Sequence, residues 1–260
     1  MGDLKKKLPD IAGEAAGAAV SAGIGMSVAG PVGAIVGASI GAVISSISAD
    51  FFSRLLSQKE KERIDQVNKV AVAKIKENEK AGKILRGEEF FSKATNDRST
   101  AEEIYEGVLI AAQKEYEEKK ILLLGRLYAN IAFDASITRP IANALIKEAS
   151  DLTFQQLKII KVVGLLEVPA SQGVDPRRKN TSNSVSGMTN VAIATDILTL
   201  YHKTRVHSSH VFFDAAGVDP SSLTLVGNGV SLFKLMELEK SEVDNVEIDI
   251  VRFLTSSNEH

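Results

Sequence analysis

Three histidines, His202, His207 and His210, stand close together in the sequence, and Asp214 follows them. Imidazole nitrogens and a carboxylate are the ligand chemistry of zinc and related transition metals. Their spacing argues against a metal site. They straddle a predicted helix end and a loop, and they lack the i, i+4 histidine pair of an HExxH helix. A second cluster, Gly227-Asn228-Gly229, carries two glycines of a dinucleotide fingerprint. The third glycine and the expected strand–loop–helix setting are missing from this expectation. No GxxxxGK[ST] phosphate loop occurs in the chain. Cysteine is absent, which removes thiol catalysis, disulfides and cysteine-bound zinc. No catalytic residue, metal, cofactor or small-molecule substrate is therefore expected, and the chain reads as non-enzymatic.

With reactive side chains set aside, the most unusual residues are those with almost no side chain. Read at steps of four, the N-terminal segment places Gly13, Gly17, Gly25, Gly33, Gly37 and Gly41 in one series, with serine or alanine in the remaining slots. Each glycine costs a helix about 0.8–1 kcal/mol relative to alanine, so a run of them needs a compensating gain. Close approach of a second helix is such a gain. Gly30-Pro31 interrupts the series, because proline removes a helix hydrogen bond and clashes with the preceding turn. The segment thus predicts two helices, 10–29 and 31–56, folded into a glycine-zipper hairpin with Gly30 and Pro31 at its turn.

From Ala15 to Ala49, 35 consecutive positions carry no charge. Lys5, Lys6 and Lys7 precede this stretch, and Arg54, Lys59, Lys61 and Arg63 follow it. A helix of about 19 residues spans roughly 28 Å, close to the hydrocarbon thickness of a bilayer. Basic flanks on both sides place both ends of such a hairpin in the cytoplasm. The first helix is poor in large apolar residues, whereas the second carries a run of Ile and Val ending in Phe51-Phe52. That imbalance favours conditional insertion over constitutive insertion. Pro9, Asp10 and Glu14 interrupt a secretory signal pattern, so the expected location is a cytoplasmic bulk with inner-membrane association, not secretion.

Beyond the hairpin the pattern becomes amphipathic and helical. Ser99 with Glu102, and Thr153 with Gln156, have capping-box spacing, and Pro140 suits the first turn of a helix. Single glycines at 107, 125 and 164 lie within helical patterns. The stretch KEYEEKKILLLGRLYANIAFDASITRPIANALIKEASDLTFQQLKIIKVV, residues 114–163, resembles an uncharacterised bacterial helical family. More distantly, it resembles the abortive-infection alpha family associated with phage defence. Its likeness lies in packing positions around YANIAFD and LTFQQLKII. The resemblance implies a helical layout behind an apolar N-terminal part and a connection to phage defence, and it transfers no site residue.

Residues 169–188 are rich in Ser, Asn, Gly and Pro and read as an exposed loop. A helix around 191–203, a strand at 211–213, a strand entering a helix within 222–239 and a closing helix capped by Ser241 follow. Together they suggest a small winged-helix-like α+β module. Arg177-Arg178-Lys179 is the tight basic cluster of this region and lies in the loop, while 237–249 is acidic and the net charge is −2, so nucleic acid is not an expected partner. The expected architecture is mainly α, with a hairpin over 1–56, a bundle over 57–168, a loop over 169–188 and a module over 189–260. The leading function is a membrane-acting effector that inserts and oligomerises to permeabilise or tether a lipid bilayer. The alternative is a soluble regulatory or scaffold protein, with the hairpin packed internally and a protein partner. A DNA-binding regulator ranks third.

Overall fold

The computed structural model describes residues 31–92, 98–171, 173, 187–208 and 219–255, apart from the side chains of 31–37 and 168–171. The first expected hairpin helix, with Gly13, Gly17, Gly25 and the turn residue Gly30, lies outside these residues. So do Arg177-Arg178-Lys179, the strand expected at 211–213, His210 and Asp214. The described chain is mainly helical, with a small two-stranded sheet near its C-terminus. It divides into two compact units, residues 1–147 and 148–260.

In the first unit, α1 (Pro31–Ser53) begins at the expected proline. Helix α2 (Gln58–Lys80) starts from a capping box in which Ser57 and Glu60 satisfy each other's backbone donors. Ala81 caps its C-terminus, and Gly82 follows at φ +74°, a conformation that suits glycine and ends the helix. A short α3 (Glu88–Phe91) precedes α4 (Thr100–Lys114), which opens on the expected Ser99–Glu102 capping box. Helices α5 (Glu118–Ile131) and α6 (Arg139–Asp151) follow, and the boundary between the units falls within α6.

The α2–α5 pair is the most extensive helix packing in this unit, and α4 lies against both. Its closeness depends on Gly125, where an added Cβ would stand 2.9 Å from the Val70 Cβ and 3.0 Å from the Val67 carbonyl oxygen. Ile64, Val67, Ala71 and Ile75 of α2, with Leu124 and Leu127 of α5, are fully buried around this contact. Two polar pairs are sealed into the unit. Asn78 donates to the Asn130 side-chain oxygen at 2.9 Å, and Lys120 pairs with Glu115 at 2.5 Å.

The second unit contains α7 (Phe154–Ser171), α8 (Met188–His202), β1 (Val206–His207), β2 (Thr224–Leu225), α9 (Asn228–Leu235) and α10 (Asn245–Thr255). Both halves of the expected Thr153–Gln156 capping box are present at the start of α7. The strands pair antiparallel, with Val206 opposite Leu225 and His207 opposite Thr224. Helix α10 is capped by Asp244, whose carboxylate accepts from the Glu247 amide at 3.0 Å. Ser241, the expected cap, instead donates to the Leu238 carbonyl.

Helix α7 is the hub of this unit, packing on α8, α9, α10 and β2. Its Lys158 and Lys161, one turn apart and both buried, converge on Glu247 of α10 at 3.0 and 2.7 Å. Lys161 also donates to the Ser241 carbonyl at 2.8 Å, and Lys158 donates to the Glu242 carbonyl. Buried ammonium groups persist only when opposite charge and carbonyl oxygens replace their water. Glu247→Gln leaves two buried cations without their shared carboxylate. The expected loss is about 3–5 kcal/mol in the unfolding of this unit, measured by urea titration with a reporter in α10.

Candidate functional site

Helix α1 is the described part of the segment that distinguishes this sequence. It packs on α4, and to a smaller extent on α2 and α3. Its buried side is not the small-residue series. Ile40, Val43, Ile44, Ile47 and Phe51 are buried, whereas Ala38, Ala42, Ser46 and Ala49 face outward. Within the expected series Gly41 is buried, Ser45 half-buried and Ala49 exposed. Geometry explains the drift: at 3.6 residues per turn, each step of four advances about 40° around the axis. A long i+4 series therefore winds around the helix and cannot form one straight face. Gly33 and Gly37 belong to α1, but their burial lies outside the described residues.

The docked face is mostly aliphatic. Full burial of such a side chain contributes about 1.5–3 kcal/mol, so the five large residues represent on the order of 10 kcal/mol as an upper limit. Two polar ties add direction. Ser48 donates to the Asn68 side-chain oxygen of α2 at 3.2 Å, and the same oxygen accepts the Tyr105 hydroxyl of α4. Farther along, Arg54 bonds Glu106 of α4 at 3.0 Å and Asp50 at 2.6 Å while lying 4.0 Å above the Phe51 ring. Glu106 is also paired with Arg98.

Beneath this seam Tyr105 and Tyr128 are fully buried and stacked, with ring centroids 4.4 Å apart at 41°. Burial pushes both phenols above their ordinary pKa, and for Tyr128 the neighbouring Tyr105 and Glu102 add to the effect. Their hydroxyls differ in one respect. That of Tyr105 is bonded to Asn68, whereas that of Tyr128 has no hydrogen-bond partner.

The clusters with potential chemistry resolve differently. Among the described residues no group of three or more His, Asp or Glu side chains is arranged to hold a metal. His202 ends α8 and His207 lies in β1. The Gly227-Asn228-Gly229 cluster does sit between a strand and a helix, contrary to expectation, but its glycines serve packing. Gly227 adopts φ +51°, and a Cβ on Gly229 would run into the Arg205 carbonyl oxygen. These two glycines thus answer to a turn conformation and to close backbone approach, which needs no phosphate to explain it. Asn228 is committed as well, donating to Glu148 at 2.8 Å.

Among the described residues no helix is long and apolar enough to cross a membrane. No protein-family model matches the chain, and no curated protein or solved structure matches it.

The tyrosine pair provides a sharp contrast. Tyr105→Phe removes one of two donors to Asn68 and is expected to cost about 1 kcal/mol. Tyr128→Phe deletes a hydroxyl that is already without a partner, and its effect is expected to lie within about 0.5 kcal/mol of neutral or to be stabilising. Because both phenols are raised, their un-ionised forms are retained below the unfolded value of about 10, and that contribution is lost as pH climbs through the folded-state values. The native tyrosinate absorbance near the ordinary phenol pKa of about 10 should therefore be unchanged by either substitution, a point checked by ultraviolet titration.

Proposed function

We propose that this is a non-enzymatic protein that stores its uncharged glycine-rich segment on its own helical bundle and delivers it to a membrane. One observation carries this reading: α1, most of which belongs to the uncharged run, docks through its large aliphatic side and turns Ala38, Ala42 and Ser46 outward. Stored in this way, its most insoluble surface is covered. Once in lipid, small residues spaced four apart let helices approach and associate, as a glycine zipper does. The delivered form is then an oligomer of this chain that permeabilises or tethers the bilayer, with the helical bulk on the cytoplasmic side. The resemblance over residues 114–163 supports a role in phage defence.

A second reading is favoured by the depth of that same burial. A helix holding Ile40 and Phe51 at zero exposure suits a permanent part of a core. The chain is then a helical regulatory or scaffold protein, and the winged-helix-like module over 189–260 meets a protein partner.

The two readings separate in a vesicle experiment. The chain has no cysteine, so a Ser48→Cys, Asn68→Cys pair can be closed selectively to hold α1 on α2. Delivery predicts that the open protein binds phosphatidylglycerol-containing vesicles and resists carbonate extraction, while the closed protein stays in the supernatant. Gly37→Leu should then lower the membrane-bound oligomer without unfolding residues 57–260. Permanent packing predicts no vesicle retention in either state, and loss of stability when residues 11–52 are deleted.

A further inference from the structure

We infer that α1 is built to detach as a unit, because the ties made by Ser48 and Arg54 end on acceptors that the bundle already serves from elsewhere. The inference rests on the docked α1 described above and names the contacts that would govern its release.

The Asn68 side-chain oxygen accepts Ser48 from α1 and Tyr105 from α4. If α1 leaves, Ser48 passes into a new environment and Asn68 keeps its bond to Tyr105. Glu106 repeats the arrangement, receiving Arg54 from the end of α1 and Arg98 from the segment before α4. If Arg54 departs, it keeps Asp50 one turn away, and Glu106 keeps Arg98. Neither departure strands the acceptor, and stranding is what usually makes a polar contact expensive to break.

The polar pairs within the bundle behave in the opposite way. Asn78–Asn130 joins α2 to α5 with both groups buried, and Lys120–Glu115 seals two charges at 3% and 4% exposure. Separating either pair leaves a buried group deprived of that partner. The expensive polar contacts thus lie inside the α2–α4–α5 core, and the replaceable ones lie at its boundary with α1. The large buried residues of α1 at that boundary are apolar, and their contact has no directional requirement and can be supplied equally well by acyl chains.

Hydrogen exchange of the full chain in the absence of lipid tests this directly. If α1 detaches, amides in residues 40–53 exchange at least tenfold faster than those at the centres of α2 and α5, through an opening that leaves the latter protected. Combining Ser48→Ala with Glu106→Gln should accelerate α1 exchange about threefold to tenfold and leave α2 and α5 unchanged. Asn78→Ala, which strikes the core, should accelerate all three helices together. Closing the Ser48→Cys, Asn68→Cys link should slow α1 to the rate of its neighbours. Equal exchange of α1, α2 and α5 in the parent protein, or no response to the closed link, overturns the inference. Vesicle binding is a separate readout. An α1 that opens in water and ignores vesicles keeps the detachable helix and removes the membrane, whereas vesicle binding without independent opening does the reverse.

Discussion

The first unit depends on one close approach, that of α2 and α5 at Gly125. Without a Cβ at that position, the Val67 carbonyl and the Val70 side chain settle against the α5 backbone. Any larger residue would force the two helices apart and reopen a core that is packed close to crystal density. That core holds fully buried apolar residues from α2, α4 and α5, so α4 has a surface to lie on and α1 has α4. The order of dependence runs outward from a missing methyl group. The small-residue logic that makes the N-terminal glycines notable operates in this bundle at an isolated glycine instead.

The second unit is organised around charge. Helix α7 directs two lysines at one glutamate of α10, and backbone carbonyls from the turn before α10 complete the cage. Elsewhere in the unit, Gln155 and Gln156 both donate to Asp196 of α8, and Glu148 meets Arg205 and Asn228. These directional contacts fix how α8 and α10 seat on α7 and tie the start of α9 to the end of α6, where aliphatic packing alone would allow sliding. Gly164 adds a steric key, since a Cβ there would stand 2.7 Å from the Phe233 ring. The sequence contains ordinary-looking lysines in these positions, yet their heads are withdrawn from water.

What could be read from the sequence was local. Capping boxes at Ser99 and Thr153 depend on residues three apart, and the proline at 31 depends on its own ring, so the helix starts emerged as expected. The mainly helical class followed from composition for the same reason. Other features were not legible, most of them because they depend on partners distant in sequence. Lys158 and Lys161 resemble a solvated helix face until Glu247 arrives from 86 residues away. Gly125 and Gly164 resemble tolerated defects until their neighbours are seen. The glycine series resembled a face because a step of four is close to one turn, yet the remaining 40° accumulates and carries the series around the helix. In the same way, Gly227 and Gly229 resemble part of a nucleotide motif, and only the Arg205 carbonyl shows what the space is for.

The convergence of Lys158 and Lys161 on Glu247 also affects how the protein meets a protease. Trypsin needs a lysine head free to enter a deep pocket and several residues of extended backbone around it, and α7 offers neither while α10 is seated. Both bonds are therefore closed to cleavage in the folded unit. A cut at residue 158 or 161 records that α10 has already parted from α7. The peptide map of a brief digest is then a chronology of how this unit comes apart, written by its own side chains.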